Sequence, residues 1–186
     1  MPSPKQLQKA FKPHAVPVAS LDLLKLHNRS KTYLSQGFEF HIDANQVGLK
    51  TYSEEPDFLN RFIEFAQADG TGSSYAIWLP ETPSKVEECP VVVFGSEGGV
   101  QVVARNLAEW FQLLSIDVEP IVACDSVIYY KDPHDHQPSK RIDAYKTWLA
   151  DYCKLKPIDD ADKIVNNAQK RHQQSLNDFL GQYYNL

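Results

Sequence analysis

The sequence predicts an α+β fold, with a mostly antiparallel sheet flanked by helices. Three observations carry this expectation. Two β-branched runs, Val91-Val-Val-Phe94 and Val100-Gln-Val-Val-Ala104, are separated only by Gly95-Ser-Glu-Gly-Gly99, a length suited to a hairpin. Amphipathic helical spacing occurs on both sides of this pair. The order is helix, strand, helix, strands, helices, not the regular strand–helix alternation of a parallel sheet. A chain of 186 residues suits one domain with its own hydrophobic core. No repeat, low-complexity tract or linker divides it, so residues 1–186 are expected as a single domain.

Four of the twelve prolines fall in residues 1–17, so residues 1–19 are expected as an irregular or mobile arm. Leu21, Leu24, Tyr33 and Leu34 then predict a helix ending at Gly37. Phe38, Phe40 and Ile42 alternate, which is a strand period. Over 53–69, Pro56 near the start and Phe58, Leu59, Phe62, Phe65 and Ala66 on one face predict a helix stopped by Gly70. Tyr75–Trp78 reads as a short strand before Pro80. After the glycine-rich turn, Asn106 and Glu109 have capping-box spacing, and Leu107, Trp110, Phe111 and Leu114 form an i, i+3, i+4, i+7 stripe. Glu119–Tyr130 reads as extended, and Lys131–Lys140 as a polar loop. Ile142, Tyr145, Leu149 and Tyr152 mark one helix. Ile164, Val165, Ala168, His172, Leu176, Phe179 and Tyr183 mark the last.

The net charge of −5 conceals an acidic middle. Residues 1–38 carry six basic and one acidic side chain, 39–125 four and fifteen, and 126–186 nine and eight. A nucleic-acid partner is not expected, because phosphate binding needs clustered Lys and Arg. A basic protein partner fits better, although acids on a solvated surface give the same pattern. No apolar run reaches about 18 residues, so no membrane span is expected. The first residues, MPSPKQLQKAFKPH, lack the apolar segment of a secretory signal. Cys89, Cys124 and Cys153 are expected as free thiols, and the expected location is cytoplasmic.

The glycine loop raises the question of a ligand. A phosphate loop requires GxxxxGK[ST], and no lysine follows Gly95 at that spacing. A dinucleotide fingerprint requires GxGxxG opening a long helix, and here a β-type run follows. A nucleophile elbow requires a serine centred in GxSxG. Each template fails, so a tight turn is expected, and no cofactor.

With those residues in view, PVVVFGSEGGVQVVARNLAEWFQLL, preceded by FAQADGTGSSYAIWLP, resembles the central segment of the SUKH superfamily in its Smi/Knr-like branch. The matching features are a helix ending at Asp69-Gly70, a short strand with Tyr75 and Trp78, the hairpin, and the short amphipathic helix. They span roughly residues 58–115. The resemblance implies an α+β domain without catalytic residues that binds other proteins. It further implies an immunity-like protein neutralising a toxin enzyme, or a regulatory interaction protein.

Candidate partner-binding residues are Glu54, Glu55, Asp57, Asp69 and Glu97, with Trp78 and Trp110 as candidate anchors, although a place in the core fits these two better. Asp69 beside Gly70 also fits ordinary turn chemistry. An alternative reading is a small metal-dependent hydrolase. In an extended segment His134 and His136 would point the same way, and Asp132 would join them as metal ligands. A third reading is self-association through Tyr183 and Tyr184.

Overall fold

The computed structural model describes residues 1–43, 45–80 and 85–183. Among them, α1 (Pro4–Ala10) and α2 (Val18–His27) precede β1 (Glu39–Phe40), α3 (Val47–Lys50) and α4 (Pro56–Leu59). Next come β2 (Phe62–Gln67), β3 (Ser74–Trp78), β4 (Val91–Phe94), β5 (Val100–Ala104) and α5 (Leu107–Leu114). A small hairpin follows, β6 (Ile121–Val122) and β7 (Val127–Ile128), then α6 (Ile142–Asp151) and α7 (Asp162–Leu180). The main sheet is ordered β1-β2-β3-β4-β5, with every neighbouring pair antiparallel. This is an α+β fold with an antiparallel sheet, as the sequence predicts.

The sheet is buried on both faces, and side-chain alternation sorts the strands between two cores. Ile63, Phe65, Tyr75, Ile77, Val91, Val93 and Val103 face α1, α2, α5 and α6. Phe62, Ala76, Trp78, Val92, Phe94, Val100 and Val102 face Leu176, Phe179 and Leu180 of α7, with Phe58 and Leu49 alongside. Trp110 is 1 % exposed, its ring 4.9 Å from that of Phe65 and 5.5 Å from those of Phe38 and Tyr75.

Helix α7 also closes one edge of the sheet. Among the described residues no further strand lies beside β5, so its outward amides and carbonyls need other partners. Gln173 of α7 supplies them. Its Oε1 accepts from Val102 N (2.7 Å) and its Nε2 donates to Val100 O (3.0 Å), much as a neighbouring strand would.

Four expectations are corrected. Residues 1–19 are not an irregular arm. Ser3 caps α1 in a capping box with Gln6, Pro4 sits in the first turn, and Leu7 and Phe11 are buried in the core. The next helix ends at His27, and Leu34 is buried from irregular chain instead. The alternation at Phe38–Ile42 yields only two strand residues. The helix expected over 53–69 is the single turn α4 followed by strand β2, which pairs Phe62 with Trp78 and Gln67 with Ser74. A strand buried on both faces is apolar nearly throughout, so its aromatic residues also fit a helical stripe. The Asp69-Gly70 turn therefore follows a strand, not a helix. Helix α5 is capped as expected by Asn106, whose Oδ1 accepts from Glu109 N (2.9 Å), but the Glu109 carboxylate turns back to the Arg105 amide (2.9 Å).

Candidate partner-binding surface

The Gly95–Gly99 segment is a closed turn. Gly95 N donates to Gly99 O (3.0 Å) and Gly98 N to Gly95 O (3.1 Å). Ser96 N donates to the Ser73 hydroxyl (3.1 Å). These amides are occupied within the fold, so they form no anion cradle. The glycines answer to packing. Gly99 has φ +83°, and a Cβ there would overlap the carbonyl oxygen of Ala123. A Cβ at Gly95 would lie 2.9 Å from Cγ1 of Val122. The β6–β7 hairpin thus rests directly on the β4–β5 turn.

A third turn joins them. Asp69 Oδ1 accepts from the amides of Thr71 (2.8 Å), Gly72 (2.9 Å) and Ser73 (2.9 Å), which folds the β2–β3 connection around one carboxylate. The Thr71 and Ser96 hydroxyls meet at 2.7 Å, tying this turn to the glycine turn. The Gly70 amide hydrogen-bonds Glu119, just before β6. Three turns therefore gather at one end of the sheet. The segments 68–73, 95–99 and 119–126 that build this end hold Asp69, Glu97, Glu119 and Asp125 and contain neither Lys nor Arg.

Two of these carboxyls are perturbed in opposite directions. Burial alone would raise Asp69, but its hydrogen bonds with Ser73 and Thr71 outweigh that and hold it below the ordinary value. Burial, and then the charge of Asp69, push Glu119 upward, against the Gly70 amide. Asp69 is thus a structural anchor that lends its charge to the surface, while Glu97, Glu119 and Asp125 are exposed.

The other sequence candidates fall elsewhere. Glu54, Glu55 and Asp57 are exposed, but at the start of α4. The Tyr52 hydroxyl holds the chain before them to Gly95 O (2.7 Å). The chain then runs to Phe58, which packs on Phe62 near the far end of β2. Trp78 and Trp110 are not surface anchors: they are 5 % and 1 % exposed and belong to the two cores.

The Asp132–His136 loop is a turn rather than the extended segment that a shared metal would require. Asp132 Oδ1 accepts from His134 N (2.8 Å) and Asp135 N (3.3 Å), and His136 N donates to Asp132 O (3.1 Å). His134 is exposed, whereas the His136 ring turns inward, with Nε2 3.5 Å from Asp117 Oδ2. Asp117 is itself held by the amides of Gln36 (2.9 Å) and Ser139 (2.7 Å). Among the described residues, no three His, Cys, Asp or Glu side chains converge on a metal position. Tyr183 packs on Phe58 and Phe179, and Tyr184 lies outside the described residues.

Sequence reasoning missed Glu119, Asp125 and Glu64. The first two needed the β6–β7 hairpin to be placed against the glycine turn. Glu64 had a readable signal, a lone acid inside the apolar run Phe62–Ala66. It is 6 % exposed, and its Oε2 is sealed from solvent without a hydrogen-bond partner.

Among the described residues, no helix is long and apolar enough to cross a membrane. Compared with family models, curated proteins and solved structures, the chain matches none.

Proposed function

We infer that this chain is a non-enzymatic protein-binding module, of the kind the SUKH resemblance implies. It would act as an immunity-like protein that neutralises a toxin enzyme, or as a regulatory interaction protein. The observation that carries this reading is the acidic sheet end, where three interlocked turns present Glu97, Glu119 and Asp125 over a frame fixed by Asp69. Such a surface favours a basic protein patch. Rim charges of this kind act mainly on encounter rate and salt dependence. A nuclease surface built to hold nucleic acid is one fitting partner, because its positive charge is already in place.

The test is capture from a lysate with the native chain and with the Glu97→Lys, Glu119→Lys, Asp125→Lys triple variant, followed by titration of the captured protein in purified form. The expected result is one partner whose affinity for the variant falls at least about tenfold and weakens further with added salt. Equal binding of that partner by the variant would overturn the assignment of this surface.

A further inference from the structure

The outer edge of β2 is only partly covered. Strand β1 pairs with Gln67 and Ala66, and His41 N donates to Phe65 O (3.2 Å). Among the described residues, no strand pairs beyond that point toward Phe62 on this side. The gap holds a cavity of about 460 Å³ between the end of α1, the α3 region and β2. That volume lies within the range of small-molecule sites, about 300–1,000 Å³. It is at the opposite end of β2 from the acidic turns.

Glu64 lines this cavity and is its chemical anomaly. Buried polar atoms in folded proteins almost always have a partner, and Glu64 Oε2 has none. Gly48 closes over the carboxyl without supplying a donor: a Cβ at that position would lie 2.9 Å from Glu64 Oε1. Burial pushes the carboxyl upward, opposed by Ser74 and His41 and reinforced by Asp43. Asp43 also lines the cavity. Its two oxygens accept from the amides of Asn45 (2.8 Å) and Val47 (2.7 Å), so it contributes charge rather than a free acceptor. At the rim, Lys9 and Lys12 are exposed and basic, while Gln46 and Asn60 add neutral donors and acceptors. The cavity is therefore acidic on its β2 side and basic on its α1 side. A simple cation would meet the lysines and a simple anion would meet the carboxylates.

The geometry points to a site for a small zwitterion, an α-amino acid or a close analogue, whose ammonium pairs with the Glu64 carboxylate and whose carboxylate pairs with Lys9 and Lys12. The ammonium adds a donor to a carboxyl that has the Ser74 side chain beside it but one oxygen still unpartnered, and it stabilises the charged form. The ligand's carboxylate fixes its direction. This site is independent of the protein-binding surface, and either assignment stands without the other.

The probes are the twenty common L-amino acids at millimolar concentration, read by thermal shift and by calorimetric titration on the intact chain. At least one is expected to raise the midpoint and bind saturably. The amine and the carboxylic acid that each lack one of its charges are expected to bind at least about tenfold more weakly. Glu64→Gln keeps the side-chain shape and should reduce affinity at least about tenfold. The exposed double variant Lys9→Glu, Lys12→Glu should do the same without lowering the midpoint of the free protein. The proposal is overturned if no amino acid binds, if both variants bind as well as the native chain, or if the amine alone binds as tightly as its amino acid.

Discussion

Replacing Gly99 with alanine tests whether the glycine turn is shaped by packing. Gly98 and Gly99 both have positive φ, +100° and +83°, so an alanine at either place is strained. They differ in surroundings: a Cβ at Gly98 meets nothing within 4 Å, whereas one at Gly99 meets the backbone of Ala123 and Cys124. Left-handed strain costs about 1–2 kcal/mol, and the stiffer unfolded chain offsets about 0.4–1 kcal/mol of it. Gly98→Ala should therefore destabilise by about 1 kcal/mol, or roughly 2–4 °C in a domain of this size. Gly99→Ala adds an overpacking cost of about 1–3 kcal/mol, because backbone yields less readily than a side chain, giving a total of roughly 5–15 °C. Thermal unfolding of the two variants measures the difference directly. Equal midpoints would refute the contact between the turn and the β6–β7 hairpin. Two unaltered midpoints would refute the turn conformation itself.

Further outcomes follow from the same structure. Glu97→Lys alone should move the thermal midpoint by no more than about 2 °C, since an exposed substitution usually changes stability by less than about 0.5 kcal/mol. Gln173→Ala removes both bonds to β5 and leaves the buried Val102 amide unpaired, at a cost of about 1–3 kcal/mol. Hydrogen exchange at Val102 should quicken more than at Val92, in the interior strand β4. Burial lowers the pKa of His27, which lies 5.5 Å from the Phe40 ring and 5.7 Å from that of Phe38. The unfolded chain then takes up its proton first, so stability is full above the ordinary histidine value of 6.5 and declines as pH falls through it. His27→Leu should flatten that decline in denaturant titrations between neutral and mildly acidic pH. Added zinc should leave the midpoint of the native chain and of His136→Ala alike, because the Asp132 oxygen that would serve as a ligand accepts from two amides of its own loop.

Local sequence carried the hairpin and the three later helices, because each declares itself within a few residues. The Gly95–Gly99 turn lies between two β-branched runs, and Asn106 announces α5. The segment 53–69 misled because Phe62 and Phe65 serve opposite cores from one strand, and their spacing coincides with a helical stripe. Only pairing with β3 decides between them. Residues 1–19 contained a legible signal in Ser3, Pro4 and Gln6, but the number of prolines outweighed it in the reading. The acidic sheet end was half legible. Glu97 and Asp69 stood out beside their glycines, whereas Glu119 and Asp125 reach that surface through the tertiary placement of β6 and β7. The Asp117 bonds to Gln36 and Ser139 span 81 and 22 residues, so no local pattern could have announced them.

The Gln173 contact has a consequence for the order in which the chain is made. Val102 waits for a partner 71 residues further along the chain. While ribosomal synthesis proceeds from β5 to α7, a nearly complete antiparallel sheet carries one open flank, the kind of flank through which nascent chains pair with one another. Helix α7 is thus a seal applied only well after the strand that it covers has been made. Chains cut short before residue 173 should be recovered as oligomers or bound to chaperones even where their strands are intact.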